Sequence, residues 1–128
     1  MVSSMPTLSG AQLTTTLAQI KARHGGAPWH ERVIITDEFT LTVICQPARH
    51  PNDRHYHIRD ECWFVAEGEI SWTFEGGTVV HARAGDFVFA PKHTFHLIQP
   101  AGDGPSIRVA VSVTGEPHRH ERPPAASA

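Results

Sequence analysis

From residue 31 onward the chain runs in short apolar stretches punctuated by glycine, proline and polar residues. Residues 31–36 and 39–46 are rich in Val, Ile, Phe and Thr, with Asp37-Glu38 as a tight turn between them. Residues 47–53 are polar and carry prolines, which predicts a loop. Further strands are predicted over 54–59, 62–67, 69–75, 78–83, 86–90, 95–100 and 106–114. Gly68, Gly76-Gly77, Ala84-Gly85, Pro91 and residues 101–105 separate them. Short strands at this spacing predict an all-β sandwich or barrel. Within 106–114, Ile107, Val109, Val111 and Val113 share one face, expected to be buried, with Arg108 turned the other way. Ahead of the strands, residues 9–23 read as the one helix. Ser9 is its expected cap, Leu13, Leu17 and Ile20 lie on one face, and Gly25-Gly26 is the stop.

Length adds one constraint: 128 residues make one domain with one core. The organisation that follows is a helical lead-in over 1–30, the β domain over 31–114 and a proline-rich tail over 115–128, expected to be disordered. Eleven Lys and Arg against thirteen Asp and Glu give no broad field to draw nucleic acid or an anionic membrane, so neither is an expected partner. No run reaches transmembrane length, and residues 1–10 lack a basic segment followed by an apolar one, so a soluble cytoplasmic protein is expected. Cys45 and Cys62 both fall in apolar runs and read as buried free thiols.

The unusual count is ten histidines. In an extended strand, residues two apart share a face, so His55 and His57 aim two imidazoles at one point and Tyr56 turns away. Glu61 has their parity, and a bend over 58–60 returns its carboxylate to the same centre. Two imidazoles and a carboxylate on one side of a cation form the facial arrangement used for non-haem Fe(II). A second strand-then-turn segment, residues 85–91, precedes His96 and delivers another imidazole to the sheet interior. His118 and His120 repeat the His-x-His pattern in the tail, where it reads as an adventitious metal binder. His24, His30, His50 and His81 read as surface residues.

His55-x-His57-x3-Glu61-x6-Gly68 resembles the first cupin motif, and Gly85-x5-Pro91-x4-His96 resembles the second. The resemblance spans about residues 31–114. It implies a single cupin-like β-barrel of the jelly-roll type with one short N-terminal helix, and His55, His57, Glu61 and His96 as ligands of one divalent metal ion. Fe(II) is the first expectation; Zn(II), Ni(II), Mn(II) and Cu(II) suit the same donors. The chain departs from the motifs at turn positions: Arg49 and His93 stand where the family usually has glycine, and Pro100 where it usually has asparagine. A homodimer is also implied by resemblance alone.

A cupin cavity is an apolar cup with a few polar groups, which suits a small-molecule substrate. Trp63 continues the parity of Glu61. Trp72 and Phe89 are aromatics on neighbouring strands, and Gln46, Arg54 and His93 are the polar candidates, Arg54 for a carboxylate. These six are the expected substrate contacts. Three functions follow: an oxygenase, most plausibly a dioxygenase; a metal-dependent isomerase, epimerase or lyase; and a binding or sensing module without turnover. No helix-turn-helix accompanies the strands, which removes a DNA-binding regulator from the third class.

Overall fold

The computed structural model describes residues 5–124; the first four residues of the lead-in and the last four of the tail lie outside the described residues. The helix α1 spans only Leu17–Ala22. The reason is local. Thr14, Thr15 and Thr16 are β-branched in succession and disfavour helix, whereas Thr16 makes a good cap. Its hydroxyl accepts from the Gln19 N–H, and the Gln19 side chain accepts from the Thr16 N–H, a capping box. Thr16, not Ser9, is therefore the cap, and Leu13 stays exposed. Ile20 is the buried anchor.

Eight strands follow: β1 Trp29–Ile35, β2 Phe39–Gln46, β3 Glu61–Glu67, β4 Glu69–Phe74, β5 Val79–Arg83, β6 Phe87–Ala90, β7 His96–Ala101 and β8 Ser106–Val113. All pairings are antiparallel. They form a five-stranded sheet in the order β1-β2-β8-β3-β6 and a three-stranded sheet in the order β5-β4-β7. The closed barrel implied by the resemblance is not formed. The two sheets remain open, and no ladder joins their edges among the described residues. The physical reason lies in the unequal widths. Three strands cannot cover five, and the uncovered inner face of β1 and β2 carries His30, Arg32, Thr40, Thr42 and Gln46, which favour a wet cleft over a dry seam.

Both faces of the large sheet are nevertheless used. Between the sheets, Trp63, Val65, Ile70, Trp72, Val88 and Ile98 form one core. On the opposite face Ile20 and Leu17 of α1 pack with Val33, Val43, Cys45 and Ile107. Arg23 anchors α1 to β1 through Glu31 at 2.6 Å, and this guanidinium holds the Glu31 carboxyl down at about 2. The alternation in β8 holds as expected for Ile107 and Arg108, which take opposite faces, but both faces are buried. Ile107 and Val109 face the α1 side, and Arg108 points into the interior between the sheets, 5% exposed. Phe87 and Phe89 of β6 and Cys62 of β3 lie exposed, so Cys62 is not the buried thiol expected. No helix among the described residues is long and apolar enough to cross a membrane.

Gly68 links the two sheets where β3 passes into β4, with φ of 78°. A Cβ there would stand 2.7 Å from the Pro105 carbonyl oxygen. Gly68→Ala combines a left-handed backbone with a clash against main chain, and is expected to cost about 2 kcal/mol or more. Thermal denaturation would show this as a melting temperature lowered by several degrees.

Candidate metal centre

The segment carrying His55 and His57 is not the regular strand expected over 54–59. It is held by two isolated bridges, His55 to His96 and Tyr56 to Arg119. The first is reciprocal: the His55 N–H donates to the His96 carbonyl at 3.1 Å and the His96 N–H to the His55 carbonyl at 2.8 Å. Two bridged residues suffice to keep the extended parity, so His55 and His57 point inward and Tyr56 points away. Tyr56 is turned from the cluster yet buried, its ring against Phe95 at 4.8 Å and its hydroxyl donating to the Glu121 carbonyl at 3.2 Å. Glu61 opens β3 and His96 opens β7, so each sheet contributes one rigidly placed donor.

His55, His57, Glu61 and His96 place donor atoms within 4.8 Å of one another. Every imidazole in the set is oriented by main chain. Nδ1 lies 3.0 Å from the Asp53 carbonyl in His55, 2.9 Å from the Pro117 carbonyl in His57 and 3.3 Å from the Thr94 carbonyl in His96. Carbonyls only accept, so each Nδ1 carries the proton and each Nε2 presents a lone pair. Nε2 of His57 and of His96 lie 3.1 and 3.6 Å from Glu61 Oε1. The Glu61 oxygen and His96 Nε2 are buried without a hydrogen-bond partner. Buried polar atoms are rarely left so, and a cation between them would satisfy both. The donor set therefore fits one mononuclear divalent ion.

Protonation agrees. Burial pushes His55 down to about 4, helped by His118 and His96, and burial also lowers His96, so both are neutral ligands at neutral pH. Burial would lower His57 too, but the facing Glu61 carboxylate and the Pro117 carbonyl outweigh it and raise it. A proton on His57 thus competes with metal for the same side chain.

The wall around the cluster differs from the expected one in composition. Trp63 packs edge-on to His96 at 5.3 Å, and it lines a cavity of about 100 Å³ with Asn52, His55, Glu61, Ile98 and Arg108. That cavity shares Glu61, Arg108 and His118 with a wider cleft of about 750 Å³ along the inner face of β1, β2 and β8, where Gln46 lies. The other four expected contacts stand elsewhere. Arg54 stacks on the Phe95 ring at 4.0 Å; Trp72 is fully buried behind Trp63; Phe89 is 57% exposed on the far face of its sheet. His93 is exposed in a turn, its N–H on the His57 carbonyl at 2.6 Å. It and Arg49 have φ of 66° and 62°, so the two positions that lack the family's usual glycine keep the left-handed backbone.

Three site features were not read from the sequence. Arg108 turns away from Ile107 as expected, but the face it joins is a buried interior that the sequence did not indicate. Asn52 pairs its amide reciprocally with Gln46 at 2.9 and 3.0 Å. The tail is the third. Residues 115–124 are held against the site, in contrast to the disorder expected of them. His118 stacks on His55 at 3.6 Å and bonds Asp53 at 2.9 Å, His120 also bonds Asp53, and Arg122 pairs with Glu75. The visible signal was the His118-x-His120 pattern itself.

The family described as "Cupin domain" matches residues 41–113. Among solved structures, a protein of Klebsiella pneumoniae described as having a double-stranded beta-helix domain is 24% identical over 77% of this chain and 89% of its own, with a TM-score of 0.63. The polyketide cyclase RemF of Streptomyces resistomycificus is 19% identical over 75% of this chain and 72% of its own, with a TM-score of 0.65. The DMSP lyase DddQ of Ruegeria pomeroyi is 25% identical over 62% of this chain but only 40% of its own length, with a TM-score of 0.55. No curated protein is detectably similar to the chain.

Proposed function

Because the chain belongs to the cupin domain family, we propose that it is a metal-dependent enzyme acting on a small polar molecule, with His55, His57, Glu61 and His96 as the metal ligands. The observation that carries this reading is the pair of buried, unpartnered donors, Glu61 Oε1 and His96 Nε2, of which Glu61 also lines the cleft. His55, His57, Glu61 and His96 would hold a divalent ion, which would supply Lewis acidity to an oxygen of the substrate.

The chain's own residues do the rest. Trp63 and Ile98 give the inner cavity an apolar side that holds carbon atoms and excludes water. Gln46 and Asn52, locked amide to amide, fix a polar rim beside it. His118, outside the ligand set, has Nδ1 engaged by Asp53, which leaves Nε2 as its one uncommitted polar atom on the cavity wall. Non-oxidative chemistry, of the lyase, cyclase or isomerase kind, makes use of such polar groups around a polarised oxygen. Two similar structures bear the names of a cyclase and a lyase. The donor set alone does not select Fe(II) or the dioxygenase expected from the sequence over this chemistry.

A substrate panel assayed with metal-free protein and with protein reloaded with one divalent ion at a time tests the reading. Turnover should depend on metal by at least about 100-fold, the upper end of what even a supporting residue contributes, and should persist without dioxygen. Equal turnover by metal-free protein would overturn the reading. Metal-dependent turnover that consumes dioxygen would replace it with the oxygenase.

A further inference from the structure

Arg108 is the one buried arginine among the described residues, and it makes a single side-chain hydrogen bond. It is 5% exposed, on the inner face of β8, between Ser106 and Ala110 in the inward-facing row. Its only hydrogen bond runs from Nη1 to the Gln46 side-chain oxygen at 2.8 Å. Nε is buried with no partner, and no carboxylate forms an ion pair with the group among the described residues. Nη2 makes no hydrogen bond either, so the whole Nε–Nη2 edge is unpartnered.

This is an expensive arrangement for a merely structural residue. A guanidinium kept dry with one neutral acceptor disfavours folding, and an apolar side chain would fill the space between the sheets without that cost. Burial pushes its pKa down to about 10, which still leaves it cationic at neutral pH. The Nε–Nη2 edge is also the one whose two parallel N–H bonds match the two oxygens of a carboxylate. Arg108 lines both the inner cavity beside Glu61 and the wider cleft, and Arg32, with no side-chain partner, adds a second positive charge to the cleft wall. Gln46 fixes the guanidinium's plane from the opposite side, itself fixed by Asn52, whose amide also donates to the Ile98 carbonyl at 3.1 Å.

We infer that Arg108 is the substrate-recognition residue of this site, and that the substrate is a small carboxylate whose anionic group docks on the Nε–Nη2 edge while its adjoining atoms lie beside the metal ligands. The inference rests on the metal-enzyme reading for its second half only. Arg108 takes the role that the sequence suggested for Arg54, which is occupied on Phe95. The inner cavity, about 100 Å³, admits a carboxylate with only a few carbons, and a longer substrate would extend along the cleft.

The test uses butanoate as probe, with butanamide as its neutral twin and inorganic phosphate as the competing anion. Titrations of ¹⁵N-labelled full-length protein follow the Arg108 Nε–H resonance, and are run on metal-free and on Zn(II)-loaded protein whose metal content is measured. Butanoate should move that resonance saturably in both forms and bind at least tenfold more tightly than butanamide or phosphate. Arg108→Lys keeps the charge and loses the paired N–H edge. It should weaken butanoate about tenfold while leaving metal content unchanged. The comparison of butanoate with butanamide needs no variant, so it stands even if Arg108→Lys is poorly folded. Equal affinity for amide and carboxylate, preference for phosphate, or undiminished binding by the folded variant would overturn the inference. Metal-free protein that binds butanoate at Arg108 but never loads metal would sink the metal reading and leave the recognition role standing.

Discussion

His57→Ala is expected to abolish stoichiometric metal binding and to leave the two sheets folded. The affinity loss should exceed the 10–100-fold typical of a lost supporting residue, because a ligand itself is removed. Three features single out His57. Its Nε2 is 3.1 Å from Glu61 Oε1, so its removal strips the carboxylate of its nearest companion. Its Nδ1 is oriented by the Pro117 carbonyl, an acceptor that no alanine can use. Its backbone lies in an irregular segment outside both sheets, so neither core loses a contact. His96→Ala should cost as much affinity but also stability, because His96 is 1% exposed and packs against Trp63 and Phe74. Comparing the two by metal titration and thermal denaturation separates ligation from packing.

Ending the chain after Gly115 is the second large effect. The removed segment supplies the Pro117 carbonyl to His57, stacks His118 on His55 and closes the reciprocal pair between Tyr56 and Arg119 at 3.0 and 3.1 Å. The losses include the two Tyr56–Arg119 backbone hydrogen bonds and the Tyr56 hydroxyl bond, at about 1 kcal/mol each, so the domain should lose at least about 3 kcal/mol. Metal affinity should fall about 10–100-fold, because His57 keeps its place in the chain but loses the partner that sets its tautomer. His118→Ala provides the control: it removes the stacked ring but keeps the Pro117 carbonyl, and should weaken metal binding far less than the truncation does. Truncated protein that bound metal as tightly as the full chain would show that the tail does not support the site.

The candidate cluster was legible because strand parity pairs His55 with His57 and the resemblance to the two cupin motifs adds Glu61 and His96. Strand positions were legible because glycine and proline mark their ends. Closure was not, because whether β1 meets a partner depends on sheet widths and on the polar row His30, Arg32, Thr40 and Thr42, not on any one strand. The burial of Arg108 was not legible because β8 is covered on both faces. Ile107 and Val109 face α1 while Arg108 faces the cleft between the sheets, a double cover invisible until the position of α1 is known. The tail defeated a composition-based reading. Its order comes from acceptors and rings far away in sequence: His55, Tyr56, His57 and Glu75.

The central claim is that His55, His57, Glu61 and His96 hold one metal ion, and the most direct test is a divalent-metal titration of tag-free wild-type protein alongside His57→Ala. One ion bound per wild-type chain, with binding lost in the variant, is the predicted result; an unmetallated wild type, or a variant that keeps its full complement, would contradict it.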